Sequence, residues 1–254
     1  MISILRNWWH RRIVQKSEIT DTQWELIFSS LPILNRLTLN EKEKLRQLAI
    51  IFLYQKDFVG AQGLTITESM KNIIALQACL PILNLGMDWY RKWSSIIIYP
   101  GDFVPGRAHV DENGIVHQNR DVLSGEAWLR GPVILSWNGV VSATKLDGTN
   151  LVIHEFVHKL DMINGVANGF PPLHKNMDKS HWSNNFQHAY EDLNHRINMG
   201  KKTVIDNYAA SEPAEFFAVL SEVFFERPEQ LEAIYPVIYK HLVDFFRQNP
   251  LERL

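Results

Sequence analysis

The sequence has a single cysteine, Cys79. One thiol excludes an intramolecular disulfide and any metal site built from cysteines alone. It stands in the apolar stretch 73–85 and reads as a core residue. A surplus of one charge is also missing: 26 Lys and Arg face 28 Asp and Glu, for a formal net charge of −2. A broad nucleic-acid surface needs a basic stripe and is not expected. With 13 Gly and 11 Pro in 254 residues, collagen-like and low-complexity architectures are excluded. No apolar run is long enough to span a bilayer; the longest, IIALQACLPILNLGM, is broken by Gln77, Pro81 and Asn84. The N-terminus lacks the unbroken apolar stretch and small-residue cleavage site of a secretory signal. A lone thiol without such a signal makes the cytoplasm the expected location.

What is present is an ordinary globular composition, 46% hydrophobic and 21% charged, enough to bury a core without staples. The first sixteen residues, MISILRNWWHRRIVQK, hold four Arg or Lys, two Trp and no acid. Residues 1–19 read as a basic arm that frays, packs, or lies on a membrane surface or partner. Residues 20–254 read as a single domain. Capping boxes at Thr20–Gln23, Thr38–Glu41 and Thr65–Glu68 predict three N-terminal helices. The β-branched runs at 94–99 and 132–137 predict strands, and Asp111–Gly114 a hairpin turn. Helical patterning returns at 149–163, 182–198, 211–226 and 229–247. The expected class is α+β: a helical N-terminal part, a small mixed sheet, then C-terminal helices.

Residues 154–158 read His-Glu-Phe-Val-His. Histidines four apart lie about 40° apart around a helix and share a face. Both imidazoles can therefore reach one zinc ion. Glu155, about 100° round from His154, is placed to take a proton from a metal-bound water. With 10 His and 16 Glu in the chain, chance supplies this pattern with a probability of roughly 0.02. Thr149 or Asn150 can cap the helix start. Lys159 would have to snorkel out of an otherwise apolar helix.

A catalytic zinc takes a third protein ligand and keeps one position open. The extended pattern with a glycine and a third histidine is excluded, because Asp161 and Asn164 stand in those places. Carboxylates remain, and the segment NYAASEPAEFFAVLSE (207–222) offers three. Spacing alone leaves Glu212, Glu215 and Glu222 equally placed, with Ser211 as the helix cap and Pro213 in the first turn. Asp161 and Glu222 are candidates to orient a ligand histidine from behind. His174, His181, His188 and His195 recur every seven residues and read as surface positions. The strand 133–137 either lines the cleft, where it could pair with an extended peptide, or is a plain core strand.

The segments HEFVHKLD (154–161), DNYAASEPAEFFAVLSE (206–222), DWYRKWSSIIIYPGDF (88–103) and GFPPLHKNMD (169–178) resemble the Mlc titration factor A family of bacterial zinc metallopeptidases. The likeness runs from about Trp24 to Pro250. The catalytic motifs are also similar to those of the protease domain of anthrax lethal factor. The resemblance implies a zincin-like fold and a gluzincin site with one Zn²⁺ per chain. It implies His154, His158 and Glu215 as metal ligands, Glu155 as general base and Tyr208 as a stabiliser of the transition state. It also implies hydrolysis of short peptides, with an aminopeptidase mode as one form, and binding to a glucose-responsive repressor in the control of sugar uptake. The competing reading is a binding protein that sequesters the repressor and uses its zinc for regulation.

Overall fold

The computed structural model describes residues 2–102, 108–110, 116–118, 125–127 and 131–253. Two predicted capping boxes form as read. Thr20 opens α2 (Asp21–Ser29) and Thr38 opens α3 (Leu39–Gln55), each with reciprocal bonds to Gln23 or Glu41. The third helix, α4 (Glu68–Cys79), starts two residues later than its motif predicts: Thr67, not Thr65, accepts the Met70 amide. The basic arm is itself a helix, α1 (Ile2–Gln15). It packs on α3, with Ile13 buried and Arg6 paired to Asp88 at 2.7 Å.

The chain then lays down β1 (Asp57–Gly60) and β2 (Ser95–Tyr99). A pair of short strands follows, β3 (Ala108–Val110) and β4 (Val116–Gln118), antiparallel with Val110 opposite Val116. The predicted hairpin turn between them lies outside the described residues. β5 (Gly125–Ala127) and β6 (Val133–Ser136) complete the main sheet, in the order β1-β2-β6-β5. Three of its strands run parallel and β5 is antiparallel to β6. β6 is fully buried, as expected of a strand paired on both sides.

The segment 137–150 separates the sheet from the second half: α5 (Trp137–Ser142) leads towards α6 (Leu151–Asp161). α7 (Lys179–Asn198), α8 (Pro213–Glu226), α9 (Pro228–Ile234) and α10 (Pro236–Phe246) follow. The predicted helix over 229–247 is therefore two. Pro236 has no amide hydrogen to continue α9 and serves instead as the first residue of α10. The architecture is α+β, mostly helical around a small mixed sheet. α6 and α8 pack directly on each other at its centre. They are held by aromatic residues from both halves of the chain.

Candidate metal centre

α6 starts where Asn150 caps it: the Ile153 amide donates to Asn150 Oδ1 at 3.0 Å. Phe156 anchors the helix in the core, its ring centroid 5.6, 5.4 and 5.5 Å from those of Phe52, Tyr90 and Trp93. That packing fixes the rotation of α6 and hence the direction of His154 and His158. Their Nε2 atoms lie 3.1 Å apart.

α8 begins with Pro213 in its first turn and Glu212 in extended backbone before it. Ser211 does not cap it; its hydroxyl donates back to the Tyr208 carbonyl at 2.7 Å. Phe216 and Phe217 seat the first turns of α8 against Tyr190 and Trp182, at 5.5 and 5.9 Å. Glu215 is thereby carried to the histidines. Its Oε2 lies 2.9 Å from His154 Nε2 and its Oε1 3.3 Å from His158 Nε2. Of the three carboxylates that spacing left equal, Glu212 is exposed and Glu222 reaches the opposite ring nitrogen of His154, Nδ1, at 2.7 Å.

This donor set fits a zinc ion. Tetrahedral coordination at bond lengths of about 2.0–2.1 Å separates ligand atoms by about 3.3 Å, close to the 2.9, 3.1 and 3.3 Å seen here. With Nδ1–H donated to Glu222, neutral His154 turns its Nε2 lone pair towards His158 and Glu215. Glu215 Oε2 is buried and makes no hydrogen bond among the described residues, despite its approach to His154. Acceptors facing one another at this range repel unless a cation lies among them. Among the described residues, His154, His158 and Glu215 form the one group able to hold a metal.

The same contacts also favour a proton on His154, which a metal would have to displace. Burial disfavours a charged His154, but Glu222 and Glu215 outweigh it and raise the imidazole pKa well above its ordinary value. Burial also works against the Glu215 carboxylate, yet its contacts with His154 and His158 hold its pKa far below the usual range. Glu155 behaves oppositely. Only 4% exposed, it is pushed up to about 7 by burial, against the pull of both histidines. Its Oε2 has no hydrogen-bond partner among the described residues. It is a carboxylate ready to exchange a proton near neutrality.

Tyr208 sits in a helical turn at Asn207–Ala210, set by Asp206, which accepts the Tyr208 amide at 2.8 Å. Its ring centroid is 6.1 Å from that of His154. Partial burial first, then the Glu215 and Glu155 carboxylates, raise its pKa. The phenol therefore keeps its proton and can donate a hydrogen bond.

Behind the site is a buried network that the sequence reading missed. Glu222 spends its second oxygen on the backbone amide of Asn150. The Asn150 side-chain amide donates to Gln77 Oε1 at 2.9 Å and Glu226 Oε1 at 3.1 Å. Glu226 Oε2 accepts the Gly148 amide at 2.9 Å. Burial pushes the Glu226 carboxyl up to about 7. The available signal was the spacing of Glu222 and Glu226, four apart on one apolar helix. The network ties the start of α6 to the face of α8 that also carries His154's partner.

Asp161 anchors the other end of α6. Its Oδ2 accepts the amides of Asn168 and Gly169 at 2.8 and 2.7 Å. Gly169 has φ +77°, and a Cβ there would stand 2.5 Å from the Pro213 carbonyl oxygen. Only glycine lets the loop after α6 lie this close to the start of α8. Asp161 does not bond to His158: Asp161 Oδ1 and His158 Nδ1 are both buried without a hydrogen-bond partner among the described residues. Lys159 does not snorkel. It is 3% exposed, donates to the Gly131 carbonyl at 2.9 Å and stands 5.3 Å from the centre of the Trp93 ring. His181, His188 and His195 are exposed on α7, whereas His174 bonds to the Phe245 carbonyl at 2.8 Å. The strand at 133–137 cannot accept a peptide, because β2 and β5 occupy both of its edges. Among the described residues, β5 is the end strand on that side.

The chain matches the model of the family described as glucose-regulated metallo-peptidase M90 over residues 5–247. It is 40% identical over 235 residues to proteins called Mlc titration factor A from Yersinia pestis (strain Pestoides F) and Yersinia pseudotuberculosis (serotype O:1b). The aligned stretch covers 91% of this chain and 86% of each relative.

Proposed function

This chain belongs to the M90 family of metallopeptidases, and from that premise we propose that it is a zinc-dependent peptidase of the gluzincin type acting on short peptides. The observation that carries the reading is the buried triad of His154, His158 and Glu215, with Glu155 beside it, its Oε2 without a hydrogen-bond partner among the described residues. A closed structural site would use four protein ligands and would need no such base.

His154, His158 and Glu215 would hold the metal, and Glu222 would fix the His154 ring. Zinc when bound supplies a Lewis acid and lowers the pKa of water towards about 7. Glu155 takes the proton of the attacking water and delivers it to the leaving amine. Its pKa of about 7 suits both transfers. Tyr208 donates its hydroxyl hydrogen to the oxygen that gains negative charge as the carbonyl carbon becomes tetrahedral. The outer edge of β5, the end strand among the described residues, is the place for an extended substrate to add as a strand. We read residues 20–254 as one zincin-like domain with α1 appended.

The relatives' name favours a second role in this chain, binding of an Mlc-like repressor that links it to sugar uptake. Binding and hydrolysis are compatible. The test of the enzymatic reading is hydrolysis of short peptides by the purified chain. Activity should disappear on removal of metal by a chelator and return with one equivalent of zinc. Hydrolysis that survives complete metal removal would refute it.

A further inference from the structure

Helix α1 serves no purpose in the metal centre, yet its composition and exposure are unusual. Residues 1–17 contain four cations and no acid. One face is pinned to the body through Ile13 and the Arg6–Asp88 pair. The other face leaves Trp8 57% and Trp9 45% exposed, next to Tyr54 at 60%. The Trp9 and Tyr54 rings meet edge-on at 5.3 Å, and the Arg12 guanidinium lies 5.4 Å from the centre of the Trp8 ring. We propose that this face of α1, with Trp8, Trp9, Arg11, Arg12 and Lys16, docks the protein on an anionic lipid bilayer.

The pattern separates a bilayer from a protein groove. A helix that enters a groove carries apolar anchors at i, i+3, i+4 and i+7. Counting from Trp8, those positions are Arg11, Arg12 and Gln15. Indoles interleaved with cations instead match the depth of lipid headgroups. There an amphipathic ring is favoured, and each nearby cation adds attraction to anionic lipid. A cleft of about 480 Å³ opens beside the helix, with Ile13, Ile50 and Leu53 among its apolar lining and Arg12, Lys16, Glu18 and Glu68 as its charged residues. The proposal is independent of the metal centre.

The experiment is sedimentation of the full-length, zinc-loaded chain with vesicles. One set is phosphatidylcholine alone and the other contains phosphatidylglycerol. The expected result is binding to the anionic vesicles only, weakened by salt and accompanied by a blue shift in tryptophan emission. W8A/W9A and R11E/R12E should each lower the partition coefficient by at least about tenfold, with helix content and zinc content unchanged. If W8A/W9A loosens α1, R11E/R12E decides, because both arginines are exposed. Absence of selective binding to anionic vesicles overturns the proposal. So does binding unaffected by R11E/R12E, or a requirement for this face only in capturing an acidic protein.

Discussion

Glu155→Gln is expected to lower kcat for peptide hydrolysis by roughly 10²–10⁴-fold, the range general-base catalysis contributes, with zinc content unchanged. Glutamine preserves the side chain's shape but cannot accept and release the proton. Glu155 lies between the two histidines in sequence and shares their helix, yet its Oε2 makes no hydrogen bond among the described residues. The substitution therefore removes proton transfer without removing a ligand. Burial holds the wild-type carboxyl at about 7, so it can act as base and then as acid in one cycle. Repressor binding, if the chain has it, should survive, which separates the two roles in one variant. The check is kinetics on zinc-loaded protein with metal analysis of the same sample. Near-normal kcat would remove Glu155 from the chemistry, and lost zinc would make it a support of the metal site.

Tyr208→Phe is the second large effect. It keeps the ring that packs 6.1 Å from His154 and deletes only the hydroxyl. A hydrogen bond to an oxygen that becomes charged during the reaction belongs mainly to the transition state. The expected loss is roughly 10²–10³-fold in kcat, typical of removing one oxyanion donor, with little change in KM. Steady-state kinetics on a short peptide checks it. A rise in KM at constant kcat would make Tyr208 a substrate-binding group instead.

Much of the site was legible because its spacing is short-range. Histidines four apart on a capped, apolar helix can hardly avoid facing the same way, and Asn150 caps that helix. The third ligand, a carboxylate, was not legible from spacing, because its choice depends on how α8 lies across α6. Glu215 and Glu222 share a face seven residues apart, but one meets Nε2 and the other Nδ1 of the same ring. That distinction is tertiary and appears only when Phe216 and Phe217 find their partners. Lys159 was misread for a related reason. A lone cation on an apolar helix suggests snorkelling, but a carbonyl and an indole face that satisfy it come from Gly131 and Trp93. The split at Pro236 was legible in principle, since proline stops one helix and starts another. The apolar period runs through it and masked the break. α1 looked like an arm because Trp8 and Trp9 stand exposed on its solvent face, which blurs amphipathic periodicity.

The central claim is that one zinc ion is held by His154, His158 and Glu215. Elemental analysis of the purified wild type beside Glu215→Ala and Glu212→Ala tests it most directly. The account predicts one zinc per chain in the wild type and in Glu212→Ala, and little or none in Glu215→Ala. Full zinc in Glu215→Ala, or its loss from Glu212→Ala instead, would contradict it.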